Sequence, residues 1–500
     1  MSLTRRQLLG GGAAGVGLAI TGTIPTLGLA NASADSQTSH GRPSDGGRPF
    51  PPLQDDPAGI LALPAGFSYT IASRAGQTDL SFGQGKTPDF HDGTGVVGSH
   101  RGITLIQNHE LTPNAVAFGV PHVTGTEYDP GALNASGCTV LTTDSRGNRT
   151  GEWVGISGTV RNCAGGTTPW GNWLTCEEIF ITAGQTWSAN GMSGTYEKNH
   201  GYVYEVFQAR SDQQLPKPIK AFGRFEHEAI AIEPGQTRVY LTEDAGGPNG
   251  LVYRWTAPRG VRLRAGIADQ LDDTSGTLEA MQIRLDDGSI LPDVAYITSA
   301  QLGRPFKVTW TPVPDREATS TLVRSQFADG TVTRGKKFEG IWADDKGAYI
   351  VNSFAFGASD LPADATKHDG MVWRYDFSDE TITLVTYFPH NPTFAESEGP
   401  FPTYPDLTFD GPDNVSVTPW GTLVLAEDGV RASHVLSAVP GGPTYSIARG
   451  MLANGTSNGA PTYSEFTGPT FTPDGKILFV NIQSPGITLA ITGPWSKYLD

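Results

Sequence analysis

Six short β-rich segments recur along the chain, and each runs into polar residues that could bind a metal ion. They are ITLIQNHE (from Ile103), NWLTCEE (from Asn172), VYLTED (from Val239), AYIVNS (from Ala348), TLVLAED (from Thr422) and ILFVNIQ (from Ile477). They follow one another at irregular intervals, which is typical of a repeat fold with loop insertions. In a propeller, equivalent strand ends meet around one axis, whereas a β-sandwich would scatter them over loops at both ends. The sequence therefore predicts an all-β fold, a six-bladed β-propeller with loop insertions.

The composition agrees with a chain of short strands and turns. The 500 residues include 63 glycines and 36 prolines. This glycine and proline content is high for a helical protein. Asp-Gly turn signals recur from Asp92-Gly93 to Asp474-Gly475. Helical periodicity is weak after the N-terminal segment, and it predicts only a short helix around Thr277–Arg284.

The N-terminus carries an export signal. Arg5 and Arg6 lie in the twin-arginine pattern TRRQLL, an apolar Gly/Ala-rich run continues to about Leu29, and Ala32-Ser33-Ala34 is a cleavage site. A membrane anchor is the alternative, but Gly, Thr and Pro25 interrupt the run. We predict a signal peptide over residues 1–34, a flexible leader over 35–51 and one propeller domain over 52–500. Export in the folded state requires the twin-arginine translocase and predicts a secreted, periplasmic or cell-surface protein.

The charge and hydropathy of the chain argue against some classes of binding partner. The formal net charge is −16, which argues against a nucleic-acid partner. No later stretch approaches 18 consecutive apolar residues, so we expect no stable membrane anchor after cleavage. We expect a monomer that acts on small molecules.

Thirteen residues at strand ends or beside glycines are candidate metal ligands. Unpaired carboxylates cannot be packed together unless cations neutralise them. Oxygen-rich clusters suit Ca²⁺, whereas a thiolate suits iron or another transition metal, so a cysteine among carboxylates predicts two kinds of metal. The candidates are Asn108, Glu110, Cys176, Glu177, Glu178, Glu228, Glu243, Asp244, Glu339, Asp413, Asn414, Glu427 and Asp428.

A cysteine nucleophile is the alternative interpretation of Cys176, with His109 or His227 as its base. Thiolate activation requires positive neighbours, and the glutamates that follow Cys176 would raise its pKa instead. For Cys138 and Cys163, apolar packing or a disulfide bond is the simpler interpretation than metal ligation.

Several long segments resemble the PhoX family of secreted bacterial alkaline phosphatases. They include NCAGGTTPWGNWLTCEE (from Asn162), RFEHEAIAIEP (from Arg224), KFEGIWAD (from Lys337), GPDNVSVTPWGTLVLAEDG (from Gly411) and EFTGPTFTPDGKILFVNIQSPGITLAITGPW (from Glu465). The resemblance implies a six-bladed propeller that hydrolyses phosphate monoesters at an axial site with two iron and three calcium ions. It implies that Cys176 bridges the irons, that Glu228, Glu339 and Asp413 are iron or iron–calcium ligands, and that the other candidates bind calcium.

One position departs from the family pattern. The family has an arginine two residues before the glutamate of the Glu-Gly pair, where it can bind phosphate, and this chain has Lys337 there. Lysine keeps the positive charge without the planar fork of arginine. Lys337 is therefore our candidate catalytic residue, and metal binding is the safer prediction than high activity. The alternatives are a metal-stabilised binding propeller without turnover, and a calcium-dependent propeller hydrolase such as a lactonase.

Overall fold

The structure is a computed structural model, and nearly all of its regular structure is β-strand. It describes residues 47–98, 102–113, 118–133, 135–189, 191–210, 215–355, 364–390, 409–429, 432–457 and 460–500. The predicted signal peptide and most of the predicted leader lie outside these residues.

Thirty strands are present in the described part of the chain. They are β1 (Leu53–Gln54), β2 (Leu61–Pro64), β3 (Ser68–Arg74), β4 (His91–Gly98), β5 (Ile103–His109), β6 (Ser136–Thr143), β7 (Arg149–Thr159), β8 (Asn162–Thr167), β9 (Trp173–Glu177), β10 (Thr186–Ala189), β11 (Met192–Thr195), β12 (Val203–Val206), β13 (His227–Ile232), β14 (Arg238–Glu243), β15 (Val252–Thr256), β16 (Thr277–Arg284), β17 (Pro305–Pro312), β18 (Phe338–Ala343), β19 (Gly347–Asn352), β20 (His368–Asp376), β21 (Thr381–Pro389), β22 (Pro412–Val417), β23 (Leu423–Glu427), β24 (His434–Ala438), β25 (Thr444–Gly450), β26 (Ala453–Ser457), β27 (Ala460–Tyr463), β28 (Phe466–Phe471), β29 (Ile477–Ile482) and β30 (Ile487–Thr492).

Helices in the described ranges are short. The α-helices are α1 (Ile267–Gln270) and α2 (Ser496–Leu499), and the 3₁₀ turns are Ser81–Gly83, Lys220–Phe222, Val294–Tyr296, Ser299–Gln301 and Val323–Gln326. No helix of the described residues has the length and apolar character needed to cross a membrane.

Neighbouring strands pair antiparallel in meanders. One sheet has the order β4-β5-β6-β7, another β12-β9-β8, and a third β1-β2-β25-β24-β23-β22. A nine-stranded sheet joins the meander β13 to β16 to the meander β18 to β21 through β17. In the last sheet, β3 near the N-terminus pairs with β30 near the C-terminus, so the two ends of the described chain are held together.

The first strand of each meander packs against the first strand of the next, and together they form a closed ring. We call these six first strands the inner strands and their ring the inner ring. Strand β4 contacts β8, β8 contacts β13, β13 contacts β18, β18 contacts β22, β22 contacts β28, and β28 contacts β4 again. The strands approach closely, because a Cβ on Gly93 would lie 2.6 Å from the Cα of Ala164 and one on Gly340 would lie 2.9 Å from the Asp413 carbonyl oxygen. Apolar side chains fill the space between adjacent sheets.

This arrangement confirms the prediction of an all-β, propeller-like fold. The six recurrent segments of the sequence form β5, β9, β14, β19, β23 and β29, the second strand of each meander. The predicted helix around Thr277–Arg284 was wrong, because this segment is β16. Leu278, Ala280 and Ile283 are buried there, and pairing with strands on both sides outweighs the weak helical preference of the segment.

Candidate metal centre

The second residue of each strand of the inner ring lies at or next to a bulge. The pairing of each inner strand with its neighbour shifts register within its first few residues. Such bulges bend the strand and re-aim a side chain. The residues at the second positions are Asp92, Cys163, Glu228, Glu339, Asp413 and Thr467.

Five of these six positions hold metal-ligating residue types, and they are joined in a continuous series. Four groups have ligand atoms that all lie within 4.8 Å of one another: Asp92 with Glu110 and Cys163, Cys163 with Glu178 and Glu228, Glu228 with Glu339 and Asp413, and Asp413 with Asp428 and Glu465. Because Cys163, Glu228 and Asp413 each belong to two groups, the four form one extended centre, which we call the axial cluster. All its members except Asp428 are buried.

A second set of acidic side chains comes from the residue directly after four of the six second strands. Glu110 follows β5, Glu178 follows β9, Asp244 follows β14 and Asp428 follows β23. Glu110, Glu178 and Asp428 belong to the axial cluster. Asp244 lies beside it and accepts a hydrogen bond of 2.8 Å from the Lys337 ammonium group.

Two cations contact the carboxylates of this region. The Nη2 atom of Arg161 lies 2.9 Å from both Glu110 Oε1 and Glu178 Oε2. The Nζ atom of Lys337 lies 2.8 Å from Asp244 Oδ2 and 3.3 Å from Glu339 Oε1. The carboxylates are nearly buried, whereas the side chain of Arg161 is 30% exposed, so Arg161 lies on the solvent side of the cluster.

Three predicted ligands have their carboxylates engaged by the protein instead. They are the last residues of their strands, and successive side chains of a strand point to opposite faces. Glu177 accepts from the Val160 amide at 2.9 Å and contacts His200 Nδ1 at 2.6 Å. Glu427 accepts from the amides of Asp410 and His434. Neither these carboxylates nor that of Glu243 belongs to a group of the axial cluster.

Glu243 is the third of these residues, and its carboxylate is bound by two buried side chains. It accepts a 2.7 Å hydrogen bond from the Tyr253 hydroxyl and one of 3.1 Å from Arg324. Burial raises the pKa of Glu243 to about 7, and the Arg324 guanidinium opposes this rise.

Both predicted asparagine ligands also have structural partners. Asn108 donates to the carbonyl oxygens of Cys163 and Ala164 at 2.9 and 2.7 Å, and its Oδ1 accepts from Cys138 and Trp173. Asn414 accepts from the Gly468 amide at 2.7 Å and donates to Asp413 Oδ1 at 3.0 Å. Their amides thus fix the backbone around Cys163 and the carboxylate of Asp413.

The cysteine of the axial cluster is Cys163, whereas the sequence predicted Cys176 as the sulfur ligand. Cys163 Sγ donates to Glu228 Oε1 at 3.2 Å. Cys176 lies inside β9, opposite Val203 of the neighbouring strand, and packs in an apolar core with Leu174 and Val203. Burial, and then the Glu228 carboxylate, raise the pKa of the Cys176 thiol well above its usual range. None of the three cysteines forms a disulfide bond in the structure, so the disulfide interpretation of Cys138 and Cys163 was wrong.

The histidines proposed as bases for a cysteine nucleophile bind other groups. His109 contacts the Asp89 carbonyl oxygen and the Thr139 hydroxyl, both at 3.0 Å. His227 contacts the Gly223 carbonyl oxygen at 3.1 Å and stacks on Phe225. Burial lowers the pKa of His109 to about 4 and that of His227 to about 3, so neither ring is charged near neutral pH.

Sequence reasoning missed Asp92, Cys163 and Glu465. Asp92 was interpreted as part of an Asp-Gly turn, and Glu465 precedes an inner strand that has no other acid. The signal was present in the inner strands, which begin HDGTG, NCAGG, HEAIA, FEGIW, PDNVS and FTGPT. In five of them a metal-ligating residue type precedes a small residue or asparagine.

The fold and the axial cluster define an all-β, propeller-like protein with a candidate polynuclear metal centre. The family model described as alkaline phosphatase PhoX matches residues 48–486. The chain therefore belongs to the PhoX alkaline phosphatase family, and this membership makes it an enzyme of the phosphatase class.

Comparison with solved structures gives matches of different strength. PhoX of Pseudomonas fluorescens, in complex with vanadate as a transition state analogue, matches with a TM-score of 0.61 at 19% identity, over 90% of this chain and 97% of that chain. The pyranose dehydrogenase PQQ domain of Coprinopsis cinerea matches with a TM-score of 0.37 at 10% identity, over 89% of this chain and 98% of that chain. A gluconolactonase of Xanthomonas campestris matches with a TM-score of 0.31 at 13% identity, over 89% and 99%. No relative was found among curated proteins.

Proposed function

We propose that the chain hydrolyses phosphate monoesters at an iron and calcium cluster on the axis of a six-bladed propeller. The observation that carries the proposal is the axial cluster, in which four groups of candidate ligands, all buried except Asp428, are linked through Cys163, Glu228 and Asp413. So many buried carboxylates need bound cations for neutralisation. The closed ring of six inner strands supports the six blades.

The donor atoms suit two kinds of metal. The groups that share Cys163 combine a sulfur with carboxylates, which suits iron, and Cys163 rather than Cys176 would be the sulfur ligand. The group of Asp413, Asp428 and Glu465 offers oxygens alone, which suits calcium. We propose two iron and three calcium ions by analogy with the family. When bound, the metals would supply Lewis-acid stabilisation of phosphoryl charge and a nucleophile that works at usable pH.

The chain's own residues hold this centre and attract the substrate. Asn108 fixes the backbone at Cys163, and Asn414 fixes the carboxylate of Asp413. Lys337 places a positive charge beside Glu339, where it can bind a phosphoryl oxygen of the ester. The buried position of the carboxylates keeps water away from the centre and strengthens these interactions.

Metal analysis combined with an activity assay tests the proposal. We expect exported protein to contain iron and calcium, to hydrolyse p-nitrophenyl phosphate, and to lose this activity with a calcium chelator until calcium is restored. Protein that is replete with both metals and inactive on phosphate esters would contradict the proposal and favour a binding propeller. Active protein that contains calcium without iron would favour a calcium-dependent hydrolase.

Substitution of Lys337 tests its proposed role in substrate binding. We expect Lys337→Ala to lower kcat/KM for phosphate esters by about 10- to 100-fold, because a hydrogen bond to a charged group contributes about 1.5–3 kcal/mol. Metal content should stay intact, since the lost group is a cation. Lys337→Arg should retain activity because the fork of arginine also binds phosphate. Equal turnover by Lys337→Ala and the wild type would remove Lys337 from the site.

We also propose the route by which the protein reaches its place of action. Residues 1–34 would direct it through the twin-arginine translocase, 35–51 would form a leader, and 52–500 would form one catalytic domain that acts as a secreted, periplasmic or cell-surface monomer. The intact mass of the exported protein tests the cleavage position, and its elution in gel filtration tests the monomer.

A further inference from the structure

Arg161 and Lys337 occupy equivalent positions in the ring of inner strands. Arg161 precedes Cys163 by two residues and Lys337 precedes Glu339 by two residues. Both have left-handed backbone conformations, with φ of 51° and 60°, which non-glycine residues adopt only when the surroundings require it. The same local turn therefore delivers a cation to the same end of the ring from two different meanders.

The contacts of Arg161 place it over the sulfur-containing part of the axial cluster. Its Nη2 atom joins Glu110 and Glu178, and these two glutamates belong to the two groups that share Cys163. The side chains of Glu110 and Glu178 are 6% and 5% exposed, against 30% for Arg161. A ligand that enters from solvent therefore meets the guanidinium group before the carboxylates.

We propose that Arg161 is a second phosphate-binding residue, which contacts the phosphoryl group of the substrate from the Cys163 side while Lys337 does so from the Glu339 side. The inference rests on the proposed phosphatase function. A guanidinium group has five N–H donors in a fixed planar fork that matches two phosphoryl oxygens, so it can keep its carboxylate contacts while it binds an anion. In this chain Arg161 supplies the fork that Lys337 lacks.

The electrostatics of the cluster favour this role over a purely structural one, in which Arg161 would only hold Glu110 and Glu178 together. A dianionic ester must approach a centre lined with carboxylates, and cations at the entrance lower this barrier. Solvent screens the ion pairs of a partly exposed side chain, so the pairs of Arg161 with Glu110 and Glu178 stabilise the fold less than fully buried pairs of good geometry can. Partial exposure therefore suits a residue that binds an incoming anion better than one that only holds the two glutamates together.

The test compares Arg161→Lys and Arg161→Gln with the wild-type metal-loaded enzyme. We expect Arg161→Gln to raise both the KM for p-nitrophenyl phosphate and the inhibition constant of vanadate by about 10- to 100-fold, with iron and calcium content unchanged. Arg161→Lys should recover only part of the loss because it restores charge without the fork. Guanidinium chloride at millimolar concentration should partly rescue Arg161→Gln.

The matched control is Arg304→Gln, which removes an exposed arginine paired with Asp286 and should leave both constants unchanged. Vanadate inhibition that is unchanged in Arg161→Gln would overturn the proposal. A loss of activity that follows a loss of iron would also overturn it, since that is the result expected of a residue that only holds the metal ligands in place. Failure of the phosphatase function itself is a separate result, because the wild-type enzyme would then be inactive although its metals are present.

Discussion

Replacement of Cys163 by serine is expected to remove most of the iron and to lower kcat/KM for phosphate esters by more than about 100-fold. Residues that only orient a metal ligand cost about 10- to 100-fold in metal affinity when they are mutated. Cys163 belongs to two groups of the axial cluster at once, so its loss would affect two metal positions. A hydroxyl group of similar size keeps the packing while it removes the soft donor that suits iron. Elemental analysis and steady-state kinetics of the purified variant measure both effects.

Cys176→Ala is the matched control for this experiment. Cys176 is equally buried but packs among apolar side chains, so we expect normal metal content and activity, with a loss of about 1 kcal/mol in the free energy of unfolding. If Cys176→Ala lost its iron while Cys163→Ser kept it, the assignment of the two cysteines would be reversed. If both variants kept their iron, neither Cys163 nor Cys176 would be a ligand.

The strands that are strongly hydrophobic could be predicted from the sequence. Segments such as Ile477–Ile482 are apolar except for Asn481 and rich in β-branched residues, which is typical of strands buried on both faces. Their recurrence indicated the propeller-like repeat. The strand Thr277–Arg284 was missed because its sequence, TLEAMQIR, contains several good helix formers. Pairing on both edges decides such a segment, and a single sequence does not contain that information.

The members of the axial cluster were harder to predict than its existence. Glu177 and Glu178 are adjacent and of one type, yet only Glu178 belongs to the cluster. The choice depends on which face of the strand turns to the axis and where the strand ends. For the inner strands it also depends on bulges, which shift the alternation by one residue. The register of Asn162 with Glu177 and the shift before Gly165 are properties of strand pairing, so they are seen only in the structure.

Glu177 and Glu178 should separate stability from catalysis in one pair of substitutions. Glu177 contacts His200 at 2.6 Å, and His200 also contacts Asp129 at 3.0 Å, all with fully buried side chains. Burial lowers the pKa of His200, but the two carboxylates outweigh it and raise this pKa to about 9, so the imidazole is charged at neutral pH. Glu177→Gln removes one negative partner from this buried triad, and breaking a buried ion pair costs about 3–5 kcal/mol.

Glu178→Gln should have the opposite profile. It removes a carboxylate from a group that contains Cys163 and Glu228, so we expect lower iron content and a loss of kcat/KM of more than about 10-fold, with a smaller change in unfolding of the metal-free protein. Denaturant unfolding after metal removal and elemental analysis before it measure the two effects on each variant. A metal loss in Glu177→Gln as large as that in Glu178→Gln would contradict the assignment, because it would make the buried triad part of the metal centre. Intact metals in a destabilised Glu177→Gln would show that adjacent glutamates serve the fold and the centre separately.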